Sequence, residues 1–248
     1  MNKNSKIPTL GVFSKSHITD VVTNLNSKEA LNFKQTIQKF PEEAVYIYSF
    51  KENKMIYADG WEEVLGYKDD EVNMLGLMNM TSAEYTEFSN ELYDKALMFI
   101  LSKTENLEKY SFVIELKKSH KNGCDVPLIV KVGVFKAENG KIKEIIGRYK
   151  INRSETLGKV MQYAFYGPDK SGFEEELNKQ FFHYYAISRK EKEALSLVAK
   201  GYSFKEIANL LEVSPSAIEK RIIPMYKKFD VKSLTHLVSF AYDNHILP

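Results

Sequence analysis

The feature that most constrains the fold of this chain is a series of four helix-start signals within residues 187–248. Each is a serine that can accept a hydrogen bond from an amide in the first turn of a helix. The four are Ser188, Ser203, Ser214 and Ser233. Glu191 and Glu206 stand three residues after the first two serines and complete capping boxes. Pro215 follows the third serine at the first helical position, where a missing amide costs nothing. We therefore predict an all-α domain of four helices.

Apolar spacing gives three of these helices a buried side. The buried positions are Ala194, Leu195 and Val198, then Ile218, Ile222, Met225 and Phe229, then Leu234, Leu237, Val238 and Ala241. Gly201 suits the left-handed position that ends the first helix. Only a few residues around Val213 separate the second and third helices, so this pair is predicted to cross steeply, with Ala208 as the small residue at the crossing. That arrangement is a helix-turn-helix.

The string ISRKEKEALSLVAKGYSFKEIANLLEVSPSAIEKRI, which begins at Ile187, resembles the LuxR-type helix-turn-helix. The matching positions are Glu191, Gly201, Lys205 to Ala208, Ser214 and Ile218. The resemblance implies a transcription regulator in which the second helix of the pair enters the major groove of double-stranded DNA. It also implies a homodimer, because such domains usually bind paired half-sites.

Carried over residue by residue, the resemblance assigns ten positions to DNA contact. Those implied to face the bases are Ala217, Glu219, Lys220 and Ile223. Those implied to contact phosphate are Lys205, Ser214, Ser216, Arg221, Lys227 and Lys228.

Four residues depart from the family pattern. Glu219 and Ile223 replace polar or basic residues, and Asp230 stands where the family favours glycine. Pro224 lies inside the recognition helix, where it deletes one amide hydrogen bond and should kink the helix. A Glu can still accept a hydrogen bond from cytosine N4. The departures leave open a second function, in which the helix-turn-helix binds another regulator rather than DNA and the chain is a protein-interaction module.

The upstream part of the chain carries the turn signals of a β-sheet. Asn122-Gly123 and Asn139-Gly140 favour tight hairpin turns and predict a three-stranded meander. A further hairpin is predicted around Glu52-Asn53, and a long helix at about Asn90 to Ser102 lies between the two sets. The predicted strands are Ala44 to Phe50, Lys54 to Ala58, Tyr110 to Lys118, Cys124 to Lys136 and Lys141 to Ile151. This order predicts an α+β domain with one five-stranded antiparallel sheet.

The same order and the segment YADGWEEVLGYKDDEV, from Tyr57 to Val72, resemble a PAS sensor domain spanning about Phe40 to Arg153. By this resemblance Asp59 caps a short helix, Glu62 completes its capping box, and Gly66 ends it. It implies that the domain senses a signal or mediates dimerisation, with a small-molecule ligand as a possible partner. The four aromatic residues considered for a pocket, or for simple core packing, are Trp61, Phe99, Phe112 and Phe135.

Cofactor chemistry is not indicated. No histidine lies between His17 and His120, and His120 belongs to a hairpin turn, so a haem ligand is not expected on the long helix. Cys124 begins a strand rather than a short helical motif, which argues against a flavin adduct. As the only cysteine it also rules out an intrachain disulfide and a multi-cysteine zinc site. We therefore expect no cofactor and no metal.

Four regions are predicted: a helical extension (1–40), the PAS-like domain (41–153), linker helices (154–186) and the helix-turn-helix domain (187–248). In the extension, Ser27 caps a helix whose apolar stripe covers its own sheet or pairs with a second subunit. In the linker, apolar residues from Leu157 to Phe165 repeat at helical spacing, although Val160 to Tyr166 can also be extended. A second linker helix is predicted from Ser171.

Composition limits the remaining function classes. Of 248 residues, 44% are hydrophobic and 27% charged, which is typical of a folded globular protein. The net charge of +2 divides into +3 for residues 187–248 and −1 for the remainder, which hints at a polyanionic partner for the C-terminal part. No apolar run is long enough to span a membrane and no signal peptide is recognised, so a cytoplasmic protein is expected. We expect no enzyme, because the sequence lacks a phosphate-binding glycine loop and a metal-spaced cluster.

Overall fold

The structure is a computed structural model that describes residues 14, 16, 18–153, 160–169, 172–174, 177, 186–244 and 246–247. The chain divides into two compact units. The first comprises Met1–Asn152 and Phe165–Lys170, and the second Arg153–Ala164 and Ser171–Pro248.

The first unit begins with a helix and a β-hairpin, followed by three helices and a three-stranded meander. The helices are α1 (Lys28–Thr36), α2 (Trp61–Leu65), α3 (Met74–Asn79) and α4 (Ala83–Leu101). The strands are β1 (Glu43–Ser49), β2 (Lys54–Asp59), β3 (Ser111–Ser119), β4 (Asp125–Glu138) and β5 (Lys141–Ile151). The predicted strands are confirmed with small shifts at their ends, and the predicted long helix begins seven residues earlier than expected.

The five strands lie in the order β2-β1-β5-β4-β3, and each neighbouring pair is antiparallel. Two further strands, β6 (Met161–Tyr166) and β7 (Ala186–Ser188), pair in parallel. The α+β class is confirmed, but within the described residues the sheet has seven strands rather than the predicted five.

The extra strand β6 also corrects the predicted linker. Residues 161–166 are extended and not helical. Tyr163, Phe165 and Tyr166 favour a strand, because aromatic side chains pack well on a pleated surface. Of the second predicted linker helix, residues 172–174 and 177 are helical, and its other positions lie outside the described residues.

The short helix α2 ends as predicted but begins differently. Gly66 is its C-cap in the left-handed region, with a φ of 75°. Asp59 is not its N-cap: Gly60 holds that position with a φ of 88° and has no side chain to cap with. The Trp61 amide instead donates to the carboxylate of Asp69 at 2.9 Å. The first amide of α2 is thus capped by Asp69, which follows the helix in the sequence, and not by Asp59.

One face of the meander packs against the helices. Alternate residues of β3 are buried, and they include Phe112, Ile114 and Leu116. Gly147 of β5 permits a close approach of Tyr46 from β1, because a Cβ at Gly147 would lie 2.0 Å from the ring. In the extension, Ser27 caps α1 by accepting from the Ala30 amide, as predicted.

The second unit contains the four predicted helices. They are α5 (Arg189–Ala199), α6 (Phe204–Leu210), α7 (Pro215–Lys228) and α8 (Leu234–Asp243). All four predicted serines are N-caps, and the two predicted capping boxes are complete. At the end of α5 the amides of Gly201 and Tyr202 donate to Val198 and Leu197, while Gly201 has a φ of 90°. This is a Schellman motif, which confirms Gly201 as the helix stop.

One hydrophobic core joins these helices. Its buried side chains include Leu195 of α5, Ile207 of α6, Ile218 and Ile222 of α7, and Leu237 of α8. Ala208, the residue predicted at the helix crossing, is 1% exposed. The periodicity in the sequence therefore predicted this core correctly.

Candidate nucleic-acid interface

The turn between α6 and α7 is closed by backbone hydrogen bonds and not by side chains. The Val213 amide donates to the Ala208 carbonyl at 3.0 Å. Glu212, between them, has a φ of 54°, in the left-handed region that an L-residue with a Cβ adopts at a cost. Residues 211–214 are thus a tight connection, which fixes the start of α7 close to the end of α6.

The start of α7 is fixed by Ser214 and Pro215. The Ser214 hydroxyl accepts from the Ala217 amide at 3.2 Å. Ile218, Ile222 and Met225 then fill the core from the inner face of the helix. The outer face is consequently held toward solvent by the burial of the opposite side.

The outer face of α7 carries the residues implied to face the bases. Glu219 and Lys220 are exposed, and Ile223 is 49% exposed. Ala217, which lies about one turn before Lys220, is half-buried. The structure thus brings these positions together on the first three turns of one helix, with three of the four open to solvent.

The residues implied to contact phosphate divide into two groups. Four are exposed on α6 and α7 and at the start of α7: Lys205, Ser214, Ser216 and Lys227. Arg221 and Lys228 are half-buried. Burial lowers the pKa of Lys228, an effect that nearby Glu191 partly opposes. Lys228 therefore lies on the inner side of the helix, toward the start of α5, and is less open to a phosphate than Lys227.

Two of the departures from the family pattern, Pro224 and Asp230, have identifiable structural effects. The helix α7 is continuous through Pro224 to Lys228. Proline has no amide, so the carbonyl of Lys220 lacks its helical partner at that point. Asp230 has a φ of 52°, the left-handed conformation for which glycine is the best residue.

These observations define an exposed helix, α7, that a tight turn and a shared core position within residues 186–241. That segment matches a family model described as bacterial regulatory proteins of the luxR family. Residues 186–241 are a LuxR-type helix-turn-helix domain.

Curated relatives match only about a quarter of the chain. A probable transcriptional regulator, ycf29, of Pyropia yezoensis is 33% identical over 70 residues, which are 28% of this chain and 32% of that protein. The oxygen regulatory protein NreC of Staphylococcus haemolyticus is 39% identical over 61 residues, which are 25% of this chain and 28% of that protein. The match thus spans about a third or less of these relatives.

Solved structures with a likeness to this chain include regulators and isolated sensor domains. A phage VqmA-DPO complex covers 87% of each chain, at 17% identity and a TM-score of 0.36. A PAS domain from Colwellia psychrerythraea covers 49% of this chain and 96% of its own, at 14% identity and a TM-score of 0.37. The likenesses are low, and the PAS-like description of the first unit rests on its own order of strands and helices.

The PAS-like unit contains a cavity between its sheet and the helices α3 and α4. Phe112 lines it, whereas Trp61, Phe99 and Phe135 do not. Its lining includes Lys118, a charged residue that was not predicted from the sequence as a site residue. In the part of the chain that the structure describes, no group of His, Cys, Asp and Glu is arranged to hold a metal ion. No described helix is long and apolar enough to cross a membrane.

Proposed function

We propose that this protein is a DNA-binding transcription regulator of the one-component type. In this proposal the LuxR-type domain binds double-stranded DNA through α7, and the PAS-like unit senses a signal or mediates dimerisation. The single observation that supports it most is the exposed outer face of α7, on which Glu219 and Lys220 follow a capped helix start. Lys205, Arg221 and Lys227 supply positive charge for phosphate.

Base readout is proposed for Ala217, Glu219, Lys220 and Ile223. Lysine donates to guanine O6 or N7 in the major groove, and a glutamate accepts from cytosine N4. The Ile223 side chain offers an apolar contact to a thymine methyl group. The phosphate contacts proposed beside them are Lys205, Ser214, Ser216, Arg221, Lys227 and Lys228.

The proposal includes a homodimer. A single recognition helix contacts only a few base pairs, so a specific site requires two copies on paired half-sites. Half-site spacing near one helical turn, about 10 base pairs, is then expected.

A gel-shift titration of genomic fragments at rising salt tests the proposal. Wild-type protein should shift DNA, and the shift should weaken steeply with salt because bound counterions are released. The double variant Lys220→Ala with Arg221→Ala should lose about tenfold or more in affinity.

The matched control removes two positive charges elsewhere. Lys200 and Lys141 are exposed and lie outside α7, so Lys200→Ala with Lys141→Ala should bind DNA nearly as well as wild type. Equal losses in the two double variants would mean that general charge and not α7 binds DNA, and the absence of any salt-sensitive shift would refute DNA binding.

A second candidate function is a protein-interaction module. It is favoured by Ile223 and Leu210, apolar side chains that are 49% and 57% exposed on α7 and α6. A protein partner would bury this apolar surface. Capture of a defined regulator that is lost on Ile223→Lys, with no enrichment of chromatin, would support this candidate over direct DNA binding.

A further inference from the structure

The cavity of the PAS-like unit has a volume of about 30 Å³. One water molecule needs ~10–15 Å³ on this scale, so the cavity has room for two or three waters or one small organic molecule. Tyrosine rings form much of its wall: Tyr46, Tyr48, Tyr93 and Tyr149. Most of the remaining lining is aliphatic, methionine or phenylalanine.

Lys118 of β3 is the charged residue of this wall, and it is 1% exposed. Its Nζ donates to the Leu77 carbonyl at 2.5 Å and to the Thr81 hydroxyl at 2.8 Å. It also lies 5.7 Å from the centre of the Tyr149 ring. Both hydrogen-bond partners are neutral, and an ammonium has three N–H groups, so one donor remains for the cavity.

Among the described residues of the cavity wall, none balances this charge. No carboxylate is among the lining residues that the structure describes. Burial raises the pKa of Tyr46 and Tyr149, so both phenols stay neutral. Burial also lowers the pKa of Lys118 to about 7, which is the response of an ammonium without a counter-ion. A buried unpaired charge is costly, and an anion beside it would offset that cost.

We propose that the cavity binds a small organic acid as its monoanion, with an acid oxygen on Lys118 Nζ and the apolar body against the tyrosine rings. Flat aromatic walls favour a flat ligand. Such a molecule would be the signal of the PAS-like unit, so its biological meaning rests on the sensing role proposed above. Binding itself is measured without DNA, and its failure is distinguishable from a failure of DNA binding.

The only tryptophan of the chain provides the readout. The Trp61 ring lies 5.0 Å from that of Tyr149, which lines the cavity. We expect millimolar acetate or propionate to change Trp61 fluorescence of the full chain saturably at about pH 6.5. Each acid should bind about tenfold more tightly than its neutral counterpart, acetamide or propionamide. This preference should fall at about pH 9, where Lys118 has lost its proton.

The matched variants are neighbours in one strand. Lys118→Met should abolish the preference for acid over amide. Lys117→Met should keep it, because Lys117 alternates to the other side of β3, where it pairs with Glu84 at 3.3 Å. Should Lys118→Met not fold, Val132→Phe fills the cavity from β4 and should abolish binding of both acids and amides.

Three results would overturn the proposal. They are equal affinity for acid and amide, no saturable response to either acid, and acid binding that survives in Val132→Phe.

Discussion

At the scale of single residues, the most consequential side chain outside the helix-turn-helix is Lys118. It was not singled out from the sequence, although the signal was present. Phe112, Ile114 and Leu116 alternate on the buried face of a strand, and continuing that period by two residues places Lys118 on the same face. A lysine at the end of a strand is usually solvated, which is why the pattern was not extended to it.

Lys118 should make the free energy of unfolding depend on pH. Burial lowers its pKa to about 7 from an ordinary 10.5, so between these values the unfolded chain holds a proton that the folded chain has released. The contribution of Lys118 to the free energy of unfolding should therefore rise with pH above about 7, by up to ~1.4 kcal/mol per pH unit. Below about pH 7 this contribution should not change with pH.

Urea unfolding of wild type and Lys118→Met at pH 7 and pH 9 measures this effect. The difference in stability between the two proteins should shift in favour of wild type at the higher pH. A difference that does not change with pH would show that Lys118 is not buried as described.

Glu212 offers a second test at this scale. Its φ of 54° is unfavourable for a residue with a Cβ. Glu212→Gly should stabilise the protein by about 0.5–1 kcal/mol, since the relief of strain exceeds the added entropy of the unfolded chain. Glu212→Ala keeps the Cβ and is the control. Thermal unfolding should show a higher Tm for the glycine variant alone, and equal Tm values would argue against strain in the turn.

The residues predicted to contact DNA differ in their exposure. Glu219, Lys220 and Ile223 are on the exposed side of α7 because core spacing fixes the opposite side, which is visible in the sequence. Lys228 was grouped with Lys227, but it is half-buried. The exposure of a long side chain near a helix end depends on what packs against it, and adjacent residues on a helix point in different directions.

At the scale of elements, capping chemistry predicted the second unit better than any other signal. Capping boxes are local, so serine and glutamate three residues apart specify a helix start without knowledge of the tertiary fold. The strand β6 was harder to predict, because Met161, Ala164 and Phe165 fit both helical and extended spacing. Its pairing partner, β7, is more than 20 residues away, and such non-local pairing leaves no local signal.

The capping box of α5 gives a prediction for this element. The Ser188 hydroxyl accepts from the Glu191 amide, and the Ser188 amide donates to the Glu191 carboxylate at 2.7 Å. Both residues are buried. Ser188→Ala should lower the free energy of unfolding by about 1–2 kcal/mol, because it leaves a buried amide at the helix start without its acceptor.

Ser188→Thr retains the hydroxyl and should restore most of that stability. Denaturant unfolding of the two variants beside wild type gives the comparison. Equal destabilisation by alanine and threonine would point to packing and not to capping as the role of Ser188.

At the scale of the whole molecule, the chain divides into two compact units. The α+β class predicted from the sequence, with a sheet and helices upstream and a helical domain downstream, is confirmed, and the four predicted region boundaries stay predictions. In the proposed function, the interior of the first unit determines which signal is sensed, and the outer face of α7 determines which DNA is bound. Neither proposal follows from composition, since they rest on a single buried lysine and a few exposed residues of one helix.

Chromatin enrichment with sequencing, in cells that carry wild type or Lys220→Ala with Arg221→Ala, tests the central claim most directly. Wild type should enrich a limited set of DNA fragments that contain paired half-sites about 10 base pairs, or a multiple of that, apart. The double variant, present at the same level, should lose this enrichment. Wild type that enriches no fragments above the double variant would contradict DNA binding by α7.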